Sequence, residues 1–167
     1  MVTVRVKPEL RRSLYLIDIE NLCATSSPSV AEVRSAWITL GRLVPAQPDD
    51  LVVVGVSSGS TALRVGEAFA TTSVRYERGA HGADRALLGW GCPEFVSRRC
   101  DRVVLASGDG IFSDFIARVA GHGTLTLVVA RPRCLARRLQ LAANDVVYFR
   151  GTDPITPCSA EGASDAA

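Results

Sequence analysis

Apolar residues fall along this chain in two alternating rhythms. Short, nearly continuous apolar runs occur at "SLYLID" (13–18), "DLVVVGVSS" (50–58), "RVVLAS" (102–107), "TLTLVVA" (124–130) and "DVVYF" (145–149), while "SVRYERG" (73–79) alternates apolar and polar positions. Segments of this kind read as strands. Between them, apolar positions recur at helical spacing in "VAEVRSAWITLGRLV" (30–44), with Ser29 placed as its N-cap, and in "STALRVGEAFA" (60–70). Further helices are predicted in "RALLGWG" after "GAHGAD", in "PEFVSRRC" with Pro93 in a first turn, in "IFSDFIARVAGHG" (111–123) and in "CLARRLQLAAN". Short strands alternating with helices predict an α/β domain of three layers, a mainly parallel central sheet with helices on both faces.

The domain is expected over 13–150, after an N-terminal extension (1–12) and before a small, polar, proline-containing tail (151–167) that reads as disordered. A length of 167 residues with 47% apolar content suits one globular domain rather than a disordered chain. No apolar run approaches the roughly 18 residues of a membrane span. The N-terminal stretch lacks the form of a signal peptide, so a cytoplasmic protein with no membrane partner is expected. Five cysteines (Cys23, Cys92, Cys100, Cys134, Cys158) with no Cys-x-x-Cys spacing speak against a disulfide framework and a structural zinc site, and read mostly as small core residues. Lys7 is the sole lysine; the other cations are arginines, the better forks for phosphate.

In an open parallel sheet the functional crevice lies beyond the carboxyl ends of the strands, where the strand order reverses. Two apolar runs deliver carboxylates there. The first ends in "IDIENL", with Asp18, Glu20 and Asn21; the fourth ends in "SGDG", with Asp109. Asp84 opens a helix in "HGADRALL", and Asp114 falls in the first turn of the helix after Asp109. Singly, Asp84 or Asp114 reads as a helix cap. Together, the carboxylates would repel one another unless a cation sat among them, and hard oxygen donors without histidine or thiolate partners suit Mg²⁺ or Mn²⁺. Other phosphate chemistries fit poorly. "DIENLC" has no glycine for a dinucleotide loop, the Gly-Lys-Ser/Thr of a P-loop is absent, and the lysine of a haloacid-dehalogenase phosphatase is not supplied near the site.

The segments "LIDIENL", "GADRAL" and "LASGDGIF", followed by "LARRLQLAANDVVYF", resemble the NYN domain, a branch of the PIN-like nuclease superfamily, over roughly residues 13–150. Asp18 and Asn21 match the family's opening Asp-x-x-Asn, Asp84 its middle-helix aspartate, and Ser107, Gly108 and Asp109 its Ser-Gly-Asp. The resemblance implies a PIN-like fold and metal-dependent endonucleolytic hydrolysis of RNA, leaving a 5′-phosphate and a 3′-hydroxyl. On that basis Asp18 and Asp109 are metal ligands, and Asp84 is a ligand or orients the attacking water. Asn21 holds Asp18 or the scissile phosphate, and Glu20 is left between crevice and solvent.

One departure from the family stands out. Many members carry a second aspartate two residues after the first, where this chain has Ile111; Asp114, three residues on, is either its replacement as a metal ligand or a plain helix-terminus charge. The alternative to an endoribonuclease is therefore a catalytically weakened RNA-binding or regulatory module, with a DNA-directed or structure-specific nuclease as a third option. RNA, single-stranded or structured, would be held by Arg131, Arg133, Arg137 and Arg138 after the fifth strand and by Arg78 and Arg85 beside Asp84, or these arginines are simply a solvated face. A homodimer and a regulatory protein partner are left open. His81 either assists substrate binding or is incidental, His122 is expected to meet a helix terminus, and Tyr76, Trp37 and Trp90 are expected in the core.

Overall fold

In the computed structural model, which describes residues 12–69 and 72–150, the first strand organises the molecule. Strand β1 (Ser13–Asp18) is buried along its whole length. Side chains of a strand alternate between faces, so Leu14 and Leu16 enter one core while Tyr15 and Ile17 enter another. A strand with two buried faces needs helices on both sides, which explains its unbroken apolar run.

Helices α1 (Ile19–Cys23) and α2 (Val30–Leu43), strand β2 (Leu51–Val56), helix α3 (Gly59–Ala68) and strand β3 (Ser73–Tyr76) complete the first half. The second contains α4 (Gly82–Leu88), α5 (Pro93–Arg99), β4 (Arg102–Ala106), a 3₁₀ turn (Gly110–Phe112) and α6 (Ser113–Gly121). It ends with β5 (Leu125–Ala130), α7 (Arg137–Ala142) and β6 (Asp145–Tyr148). The sheet order is β3-β2-β1-β4-β5-β6, and every neighbouring pair is parallel. Ile19, Leu22, Val33, Leu40 and Val65, from α1 to α3, pack with Tyr15 and Ile17. Leu87, Val96, Ile116 and Leu139, from α4 to α7, pack with Leu14 and Leu16 on the opposite face. The chain thus winds outward in both directions from β1 and β4, and the switch in direction opens a crevice at their carboxyl ends.

The three-layer α/β architecture expected from the sequence is observed, with a sheet that is parallel throughout. Ser29 caps α2 in a reciprocal capping box with Glu32. Several boundaries differ. The chain turns directly from β1 into the short helix α1, which the apolar pattern did not announce. The expected helix 111–123 begins as a 3₁₀ turn, and the helix within "CLARRLQLAAN" is confined to Arg137–Ala142. Tyr76 lies 51% exposed on β3, which is an edge strand of the sheet formed by the described residues. Trp37 is half-buried against Phe69, and Trp90 packs edge-on to Phe95. Of the cysteines, Cys100 is buried, Cys23 and Cys134 are half-buried and Cys92 is exposed. Residues 1–11 and the expected tail 151–167, with Cys158, lie outside the described residues. No helix among the described residues is long and apolar enough to cross a membrane.

Candidate functional site

The crevice is assembled around the ends of β1 and β4, which are direct neighbours with Ile17 opposite Ala106. One residue further, Asp18 turns out of the sheet as the N-cap of α1, its Oδ1 accepting from the Asn21 amide at 3.0 Å. Its Oδ2 faces the Ser107 hydroxyl at 3.4 Å. The Asn21 side chain reaches across to accept from the Gly108 amide at 3.1 Å, stitching α1 to the loop after β4. Gly108 has no room for a side chain, since a Cβ there would strike the Cys134 carbonyl. Asp109 follows, half-buried, with its amide donating to Ser107 Oγ at 3.2 Å and its Oδ1 accepting from Ile111 at 2.9 Å.

Asp84 enters from the opposite lip, in the first turn of α4, and is buried. Its Oδ2 lies 3.2 Å from Nδ1 of His81, whose ring is largely exposed. One donor atom from each of His81, Asp84 and Asp109 falls within a group no wider than 4.8 Å. Asp18 stands just behind this group, close enough to Asp84 for their carboxyls to interact. Beside it, Asp18, Glu20, Ser57, His81, Gly82 and Asp84 line part of an open cleft of about 230 Å³.

Burial disfavours the ionised carboxylates. It pushes the Asp18 carboxyl up to about 8, opposed by the bond from the Asn21 amide and reinforced by repulsion from Asp84 and Glu20. Asp84 is raised as well, first by desolvation and then by the charge on Asp109, with His81 pulling the other way. Among the described residues no arginine forms an ion pair with Asp18, Asp84 or Asp109. A partly buried carboxylate group with no arginine ion pair among the described residues, its donor atoms within 4.8 Å of one another and an imidazole among them, is a donor set that fits a divalent cation.

The site residues expected from sequence divide into those the fold gathers and those it does not. Asp18, Asn21, Asp84 and Asp109 meet at the crevice. Asp114 is exposed and does not belong to the converging donors; Ile111, whose position it was expected to make good, is itself turned to the surface, so a shared face carries Asp114 outward rather than into the crevice. Glu20 does not belong to the donor group; half-buried on the wall of the cleft, it accepts from the amide and hydroxyl of Ser57 at 2.9 and 2.7 Å, tying α1 to the end of β2.

The arginines also separate. Arg85 is committed to its own loop, donating to the carbonyls of Ala80 at 2.6 Å and Arg78 at 3.1 Å and pairing with Glu77. Arg131 donates to the Leu22 carbonyl at 3.1 Å and braces α1. Arg138 lies with its guanidinium against Gly110, beside Asp109. Arg78, Arg133 and Arg137 are exposed. His122 follows α6 and sits 3.5 Å from Glu94. His81 joins the donor group although the sequence marks it only by the flanking glycines in "GAHGAD".

No protein-family model matches the chain, and no match is found among characterised proteins. A crystal structure of a protein of unknown function from Vibrio parahaemolyticus shares the fold, with a TM-score of 0.61 at 18% sequence identity. The similarity covers 86% of this chain and 96% of that one. These findings define the class as a three-layer α/β protein with a parallel sheet.

Proposed function

We propose that this protein is a divalent-metal-dependent endoribonuclease of the NYN type, acting on RNA phosphodiesters in the cytoplasm. The observation that supports this best is the meeting of Asp84 and Asp109 across the crevice, backed by buried Asp18, with no arginine ion-paired to any of the three among the described residues. Mg²⁺ or Mn²⁺ would supply Lewis-acid neutralisation of the phosphate charge and an acidified water. The chain's own residues do the placing. Asp84 and Asp109 supply oxygen donors, Asp18 adds a carboxyl behind them, and Asn21 fixes the Ser107-Gly108-Asp109 loop through the Gly108 amide. Arg138, against Gly110, offers a guanidinium for a phosphate next to Asp109.

A second function, an RNA-binding module with weakened catalysis, is favoured by one feature: Ile111 occupies a family aspartate position, and exposed Asp114 does not replace it. The two separate in one assay. End-labelled single-stranded RNA is incubated with wild type or Asp109→Asn, with Mn²⁺, Mg²⁺ or excess chelator. The endoribonuclease is expected to cleave only with metal and to lose cleavage in the variant. Equal cleavage by both proteins refutes it, and salt-sensitive RNA binding without cleavage supports the binding module.

A further inference from the structure

We propose that His81 is a nitrogen ligand of the cation held by Asp84 and Asp109, giving the centre a preference for Mn²⁺ over Mg²⁺. This deepens the metal-site reading above and rests on it. Two donors in adjacent positions on an octahedral ion at about 2.1 Å lie roughly 3.0 Å apart. His81 Nδ1 and Asp84 Oδ2 are hydrogen-bonded at 3.2 Å, close to that edge, so a cation that displaces the proton between them to solvent can be faced by both atoms after small rotations. Asp109 brings the third donor within the 4.8 Å group. The His81 ring is 64% exposed, which leaves the remaining ion positions open to water or substrate.

The loop holds His81 in a backbone conformation uncommon outside glycine, though one that histidine adopts more readily than most side chains. Its φ is +56°, in the left-handed region that a bulky side chain seldom adopts, and Gly79 precedes it at +101°. Arg85 keeps this shape by gripping the Ala80 and Arg78 carbonyls. Gly82 lies so close to the Glu77 carbonyl that no Cβ fits. Imidazole is a common ligand for transition ions, whereas Mg²⁺ favours oxygen and gives up water reluctantly. A His–Asp–Asp set is therefore better matched to Mn²⁺ than a set made of carboxylates alone.

The test uses the full chain without RNA. Calorimetric titration with Mn²⁺ and with Mg²⁺ compares wild type, His81→Asn, His81→Ala and Asp109→Asn. Asparagine tolerates the left-handed backbone and alanine removes the donor altogether, so the pair separates loss of a ligand from loss of loop shape. Both His81 variants are expected to lower the Mn²⁺-to-Mg²⁺ affinity ratio by about tenfold or more. Pulsed EPR of Mn²⁺-loaded wild type is expected to show a nitrogen coupling that both variants lack. An unchanged ratio with no nitrogen coupling, while Asp109→Asn still weakens binding of both ions, overturns the His81 assignment and leaves the carboxylate centre standing. Wild type that binds neither ion overturns both.

Discussion

Asp18→Asn in the metal-free protein isolates the electrostatic cost of the crevice. The Asp18 carboxyl is raised from 3.8 to about 8 by burial, with repulsion from Asp84 and Glu20 adding to it. A folded-state value above the unfolded one means that the folded chain holds the extra proton. Stability is therefore present in full below about pH 4 and is lost as pH rises through about 8. The slope cannot exceed about 1.4 kcal/mol per pH unit. Over the roughly three pH units between 3.8 and neutrality this gives a ceiling on the order of 4 kcal/mol, reduced to a few kcal/mol as Asp84 shares the burden. Asparagine mimics the protonated acid: its oxygen can still cap the Asn21 amide and its NH₂ can face Asp84. Urea unfolding from pH 5 to pH 8 in excess chelator, wild type against variant, reads the effect directly. The variant is expected to be close to wild type at pH 5 and increasingly more stable towards pH 8. A stability difference that stays constant across this range refutes the reasoning.

Two glycines and one arginine supply the remaining predictions. Gly108→Ala drives a Cβ into the Cys134 carbonyl and should cost about 1–3 kcal/mol in thermal or urea unfolding. Gly41→Ala, in α2 with nothing within 4 Å, should instead stabilise by about 0.5–1 kcal/mol, because alanine loses less backbone freedom on folding. Arg138→Ala should weaken RNA binding and reduce the magnitude of its log-log salt slope by about one in a filter-binding or anisotropy titration.

Much of this molecule is legible in its sequence because a parallel sheet buried on both faces writes itself as apolar runs. A polar residue that ends such a run marks the sheet's carboxyl edge, which is how Asp18 and Asp109 stand out, and the adjacency of β1 and β4 brings them to one crevice. Asp84 stands out as the acid opening a helix. What fails to show is whatever depends on loop conformation. The five-residue α1 is too short to display a period, and with it the Glu20–Ser57 tie is invisible. The turn after Asp109 sends both Ile111 and Asp114 to the surface, away from the site. His81 depends on a left-handed backbone that Arg85 holds from four residues away, and a rim arginine looks the same in sequence as one spent on its own loop.

Asp18 and Ser107, which meet at the switch point, lie 89 residues apart in the chain. Closing so long a loop costs entropy that only the β1–β4 ladder and the helices flanking it can offset. During synthesis, the partner that β4 supplies to β1 does not exist until residue 106 has been added. No nascent chain ending before Asp109 can hold the carboxylate centre, whatever else of the first half has folded. The site is thus assembled late, and any activity it carries is withheld until most of the domain exists.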